Sequence, residues 1–167
     1  MIQVYTGNGK GKTTAALGLA LRVSGAGQKV YICQFLKGRC CCESFSLEKL
    51  KNVKFEQFGR INFVKGLPRD EDKRLANAAL NSARRAIKSK KYALVILDEL
   101  NVALNLKLIK LADVIDLIMK TPKKVEVVLT GRLAHPNVLK LADLVSEIKD
   151  MKHYHKVGLK ARRGIEF

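Results

Sequence analysis

The chain has 167 residues, 47% of them hydrophobic, which suffices for one sizeable core and predicts a single domain over residues 1–167. Thirty-two Lys and Arg against 15 Asp and Glu give a formal charge of +17, a field that favours anionic partners such as nucleotides and phosphates. No apolar run approaches the roughly 20 residues of a membrane helix, and no signal-peptide pattern precedes the first strand-like segment, so a cytoplasmic location without membrane insertion is expected. Cys33 lies in an apolar run, and Cys40, Cys41 and Cys42 are consecutive. Neither a disulfide framework nor a zinc-ligand spacing results, and reduced thiols are expected.

Ile2–Thr6 is short, apolar and β-branched, and it runs into a glycine-rich segment. Residues 13–24 then place Ala16, Leu17, Ala20, Leu21 and Ser24 at helical spacing, so the order is strand, loop, helix. Gly25 and Gly27 close that helix, and 29–35 is the next buried strand. A short helix is expected at 46–50 and a strand at Val53–Phe58. Residues 70–88 carry Leu75, Ala76, Ala79, Leu80, Ala83 and Ile87 on one stripe, the pattern of a long amphipathic helix. An unbroken apolar run at 92–97 ends in Asp98 and Glu99, as a central strand of a parallel sheet would. The pattern continues with one helix at 101–120, a strand at 125–129, a helix at 136–144 and an extended stretch at 145–154. Alternating strands and helices indicate an α/β fold with a mostly parallel, doubly wound sheet.

The strongest chemical signal is Thr6-Gly7-Asn8-Gly9-Lys10-Gly11-Lys12-Thr13-Thr14, placed between a strand and a helix. Glycines let the backbone wrap closely around phosphates and aim N–H groups at them from a helix N-terminus. Lys12 would neutralise phosphate charge, and the Thr13 hydroxyl would ligate Mg²⁺. Thr6 stands where the usual spacing has glycine, so this is a variant of the phosphate loop. Asp98 and Glu99 reach the same sheet edge and are candidate groups for the metal shell. Arg132, in Thr130-Gly131-Arg132, offers a planar fork to phosphate. His153 and His155 lack a third ligand and are assigned no metal. The lysines are distributed along the whole sequence with few aromatics between them, which disfavours nucleic-acid binding as a main role.

These segments, with Gln34-Phe35-Leu36-Lys37-Gly38, Leu97-Asp98-Glu99-Leu100, Ala142-Asp143-Leu144-Val145-Ser146-Glu147, Lys152-His153 and Gly164-Ile165-Glu166-Phe167, resemble the CobA-type ATP:cob(I)alamin adenosyltransferases from end to end. The resemblance implies a RecA-like P-loop fold, a homodimer, and transfer of the 5′-deoxyadenosyl group of ATP to the Co(I) of cobalamin or another corrinoid, with triphosphate as leaving group. It also implies an electron donor that reduces the corrinoid. ATP would be held by Gly7, Asn8, Gly9, Lys10, Gly11, Lys12, Thr13, Thr14 and Arg132, Mg²⁺ by Thr13, Asp98 and Glu99, and catalysis would rest on Lys12, Thr13 and Glu99. Family members displace the lower cobalt ligand with aromatic residues between the third strand and the long helix. The chain has no tryptophan, so that part falls to Phe63, or else Phe58. Another P-loop ATPase or kinase, possibly associated with nucleic acid, is the alternative, and the bond broken in ATP separates the two.

Overall fold

The computed structural model describes residues 1–38, 41–61 and 67–166. In chain order it comprises β1 (Ile2–Thr6), α1 (Lys12–Gly25), β2 (Val30–Phe35), α2 (Cys42–Leu47), β3 (Val53–Phe58), α3 (Asp70–Ser89), β4 (Leu94–Asp98), α4 (Leu100–Asn105), α5 (Leu111–Met119), β5 (Glu126–Thr130), α6 (Pro136–Leu141), β6 (Leu144–Glu147) and a 3₁₀ turn at Tyr154–Val157. The six strands form one sheet in the order β3-β2-β4-β5-β1-β6, and every pairing is parallel.

The central strands are apolar throughout because both faces are covered. Ile32, Ile96 and Val128 share one register row and pack with Ala16 and Ala20 of α1. Their neighbours Tyr31, Val95 and Val127 turn to the other face, where α3, α4, α5 and α6 cover them. Within that second layer the hydroxyls of Tyr31 and Ser82 both donate to Glu56, at 2.5 and 2.9 Å, so the buried phenol of Tyr31 is satisfied. All six strands run the same way, so Thr6, Phe35, Phe58, Asp98, Thr130 and Glu147 end at one edge of the sheet.

Three expectations change in detail. The single helix at 101–120 is two helices, because Lys107 adopts a left-handed φ of 56° and an α-helix cannot run through that conformation. The helix beginning at Pro136 stops at Leu141, and the extended stretch after it contracts to β6, with a 3₁₀ turn beginning at Tyr154. The short helix after β2 lies earlier than expected, at Cys42–Leu47.

Ile96 is fully buried between the layers, so Ile96→Ala should cost about 2–5 kcal/mol of stability. Leu21→Ala, on the exposed side of α1, should change stability by about 0.5 kcal/mol or less. Denaturant unfolding of both variants checks the assignment of the sandwiched core.

Candidate active site at the carboxyl edge of the sheet

β1 ends at Thr6, and the next five residues, three of them glycine, turn the chain into α1. Gly7 and Gly11 adopt φ values of 94° and 118°, a region that suits glycine. The loop is also pressed against the segment after β6. A Cβ on Gly9 would lie 2.6 Å from the Lys149 carbonyl oxygen, and the Gly9 N–H donates to the Ile148 carbonyl at 2.7 Å. The Lys12 ammonium folds back onto the Gly9 carbonyl at 2.6 Å. Burial, with Arg132 nearby, lowers the Lys12 pKa, and Glu99 and Asp98 partly restore it.

Asp98 ends β4 with no exposed surface. Its Oδ1 accepts from the hydroxyls of Thr13 at 2.8 Å and Thr130 at 2.6 Å, and its Oδ2 from Gln34 at 3.0 Å and Lys37 at 3.3 Å. Gln57 on β3 donates in turn to Gln34 at 2.9 Å, so the network crosses from β3 to β5. Lys37 is reached because Leu36 leaves β2 with a φ of 61°, and the Lys37 ammonium also lies 3.7 Å from Glu43. Burial alone would lower the Lys37 pKa, but Asp98 and Glu43 outweigh it and the net shift is upward. Lys37 is therefore held as a cation. Glu99, at φ 62°, is the single residue between β4 and α4. Burial raises its carboxyl pKa and Asp98 adds to the shift, while Lys37, Lys12 and Arg132 oppose it.

Gly9, Lys10, Gly11, Lys12, Thr13 and Thr14 line a cleft of about 640 Å³ together with Lys37, Glu43, Glu99 and Arg132. Leu17, Cys42 and Ser46 also line it, and one wall is the tail: His153, Gly164, Ile165 and Glu166. Lys10 donates to Tyr154 at 2.5 Å and to Glu166 at 2.8 Å, Tyr154 donates to Glu166, and the Arg162 N–H donates to Glu166 at 2.6 Å. The guanidinium of Arg162, together with Lys10 and Tyr154, depresses the Glu166 pKa.

Lys10, Gly11, Lys12, Thr13, Thr14, Glu99 and Arg132, expected from the sequence, thus meet at one cleft with Gly9, whereas Gly7 and Asn8 do not line it and Asp98 lies beneath it. Phe58 is half-buried and packs against the α3-side core. Phe63 lies outside the described residues. Gln34, Lys37, Thr130 and the tail residues Tyr154 and Glu166 received no role in the sequence reading. Gln34, Lys37, Thr130 and Glu166 fall within the segments that carry the family resemblance, and Gln34 and Lys37 also adjoin the end of an apolar strand. The arrangement can hold an extended polyanion, because Lys10, Lys12, Lys37 and Arg132 converge on backbone N–H groups at a helix start.

The family model of the ATP:corrinoid adenosyltransferases BtuR/CobO/CobP matches residues 1–167. The chain belongs to this ATP:corrinoid adenosyltransferase family. It is 36% identical to the corrinoid adenosyltransferase of Pseudomonas aeruginosa, over all of this chain and 83% of that protein. It is 35% identical to the corrinoid adenosyltransferases of Escherichia coli K12 and Salmonella typhimurium, over all of this chain and 85% of each. Among solved structures it is similar to a KaiC-like protein of Pyrococcus horikoshii, with a TM-score of 0.58 and 16% identity over 98% of this chain and 74% of that one. That likeness concerns the fold alone, which is the RecA-like P-loop fold. For this adenosyltransferase the resemblance read from the motifs and the whole-chain match agree.

Two outcomes follow from the Asp98 network. Asp98→Ala would leave the Lys37 ammonium half-buried beside Glu43 alone, and it should cost about 3 kcal/mol in urea unfolding. Glu99 has a folded pKa above its unfolded one, so its contribution to stability is present below the ordinary carboxylate range and is lost as pH rises through the raised value. Glu99→Gln should therefore raise the melting temperature at pH 7 and flatten the decline expected in the parent as pH rises above the ordinary carboxylate range.

Proposed function

We propose that this cleft binds ATP by its triphosphate and transfers the 5′-deoxyadenosyl group to the Co(I) of a reduced corrinoid. The cobalt electron pair forms the new bond to C5′, the C5′–oxygen bond breaks, and its electrons leave with triphosphate as Co(I) becomes Co(III). No protein nucleophile is needed, so the chain's task is to hold the nucleotide and stabilise charge on the departing oxygens. The observation that carries this reading is the gathering of Lys12, Lys37 and Arg132 around an open glycine loop.

In this reading the loop from Gly7 to Gly11 wraps the phosphates with its N–H groups, Lys10 and Lys12 supply positive charge, and Thr13 and Thr14 sit at the helix start below them. Lys12 has its pKa lowered by burial, and a bound phosphate replaces the Gly9 carbonyl as its partner. Thr13 and Asp98 present oxygen donors side by side, which suits a hard cation such as Mg²⁺. Among the described residues no group of three His, Cys, Asp or Glu gathers, so phosphate and water oxygens would complete its shell. Bound there, Mg²⁺ would supply further charge neutralisation on the triphosphate. Glu99 faces the cleft and positions nucleotide and metal waters. Phe58 and Phe63 are assigned to the corrinoid side. A reducing electron donor, a homodimeric assembly, a cytoplasmic setting and a single domain belong to the same proposal. Among the described residues no helix is long and apolar enough to cross a membrane.

Incubation with ATP, Mg²⁺ and chemically reduced cobalamin should yield adenosylcobalamin and triphosphate in equal amounts. Release of ADP in place of triphosphate would overturn the reading in favour of an ATPase or kinase. Lys12→Ala should lower kcat/KM about 10²–10³-fold, as loss of a charge-stabilising donor does, with little change in melting temperature. A variant with wild-type turnover at limiting ATP would exclude Lys12 from phosphate binding.

A further inference from the structure

Six of the lysines distributed along the sequence gather in the fold on the edge of the sheet opposite the cleft. Every αβ connection of a parallel sheet arrives at that edge, and here most of these connections carry lysine. Lys29 precedes β2, Lys51 precedes β3, Lys90 and Lys91 precede β4, and Lys123 and Lys124 precede β5. All six are exposed. Backbone hydrogen bonds tie these connections into a row: Val30 N–H donates to the Asn52 carbonyl at 2.9 Å, Ala93 to Lys29 at 2.9 Å, and Glu126 to Ala93 at 2.8 Å. At about 4.8 Å per strand, four adjacent strands bring these lysines into a band about 15 Å wide, so connections on neighbouring strands lie within a Debye length of about 8–10 Å and their charges add.

Compensation of helix C-termini accounts for Lys90 at the end of α3, and for Lys88 and Lys120 nearby. It does not account for the lysines set beyond the helix ends, next to the strand starts. Among the described residues none of the six has an ion-pair partner. The carboxylates of the same edge are engaged elsewhere or at its margin: Asp116 with Lys120 and Arg84, Glu126 with Gln3, Asp143 with the Ile2 N–H, and Glu48 exposed after α2.

We propose that this edge is a docking face for an anionic lipid surface, which it meets peripherally while the cleft points away. Two observations favour lipid over nucleic acid. The row is made of lysines, point charges suited to a plane of headgroups, and it lacks the arginine forks that read phosphate bidentately. Apart from half-buried Tyr92 it presents no aromatic side chain for base stacking. Beside the row, Ile87, Leu117 and Pro122 floor a cavity of about 540 Å³ whose mouth carries Arg84, Lys88 and Lys120. Asp116 shares that mouth and pairs with Arg84 and Lys120, which leaves Lys88 and Lys90 as its unpaired cations among the described residues, and Met119 is exposed next to it.

Flotation with vesicles tests the proposal on the whole chain. Phosphatidylglycerol–phosphatidylcholine vesicles should carry the protein at low salt, pure phosphatidylcholine should not, and about 0.5 M salt should release it. Replacing Lys51, Lys91, Lys123 and Lys124 with Glu should reduce partitioning at least about a hundredfold, since each lysine at such a surface contributes roughly fivefold. Adenosyl transfer in solution should be unchanged in that variant. A control variant with Lys73, Arg74, Lys107 and Lys110 replaced by Glu has the same net charge and should retain most of the binding. Equal loss in both variants would reduce the effect to overall charge and overturn the assignment. Absence of flotation on anionic vesicles would overturn it too, as would binding to single-stranded RNA in their place.

Discussion

A carboxylate without solvent is expensive unless every lone pair has a donor, and Asp98 meets that condition with four of them. The donors come from α1, β2, the turn after β2, and β5. The charge at the end of β4 therefore decides how the loop, the second strand and the fifth strand sit relative to one another. Because Thr13 belongs to the nucleotide loop's helix, the same bond that satisfies the carboxylate sets the start of α1. Removing the charge would loosen the sheet edge and the phosphate loop together.

Much of this was legible beforehand. β-branched runs separated by amphipathic helices imply a parallel sheet, and parallel strands bring their ends to one edge, so Thr6, Asp98 and Thr130 had to share that edge once the sheet was accepted. What could not be read was strand order. Gln34 and Lys37 reach Asp98 only because β2 pairs directly with β4, a pairing that no local pattern encodes. The break at Lys107 was hidden for a related reason. Apolar spacing continues through it, and the left-handed residue is a lysine where a glycine would have marked the stop. The tail wall was invisible because Lys10 and Glu166 are 156 residues apart in sequence.

The charges lining the cleft are arranged asymmetrically. Lys37 is held by Asp98 and Glu43, and Lys10 by Glu166 and Tyr154, so both cations are already partnered. An incoming polyanion must compete with those carboxylates, which weakens indiscriminate binding of any phosphate. Lys12 differs, since its partner is an uncharged carbonyl that exacts little for its release. The cleft thus has one readily redirected ammonium at the loop and two guarded ones at its sides.

The exits of β2 and β3 meet at a backbone weld. A methyl group on Gly38 would lie 2.1 Å from the Gly59 carbonyl oxygen, and one on Gly59 would lie 2.4 Å from the Leu36 carbonyl carbon. Neither contact is with a flexible side-chain end, so neither can be relieved locally. The two glycines share a single gap, and once either is replaced the strands must part. A second replacement then enters space already opened. Their substitutions should show strong negative epistasis in cost, the double change being far milder than the sum of the singles. Gly38 follows Lys37 and Gly59 follows Phe58, so drift at either position would reach the cation beside Asp98 and the aromatic at the end of β3 in one movement.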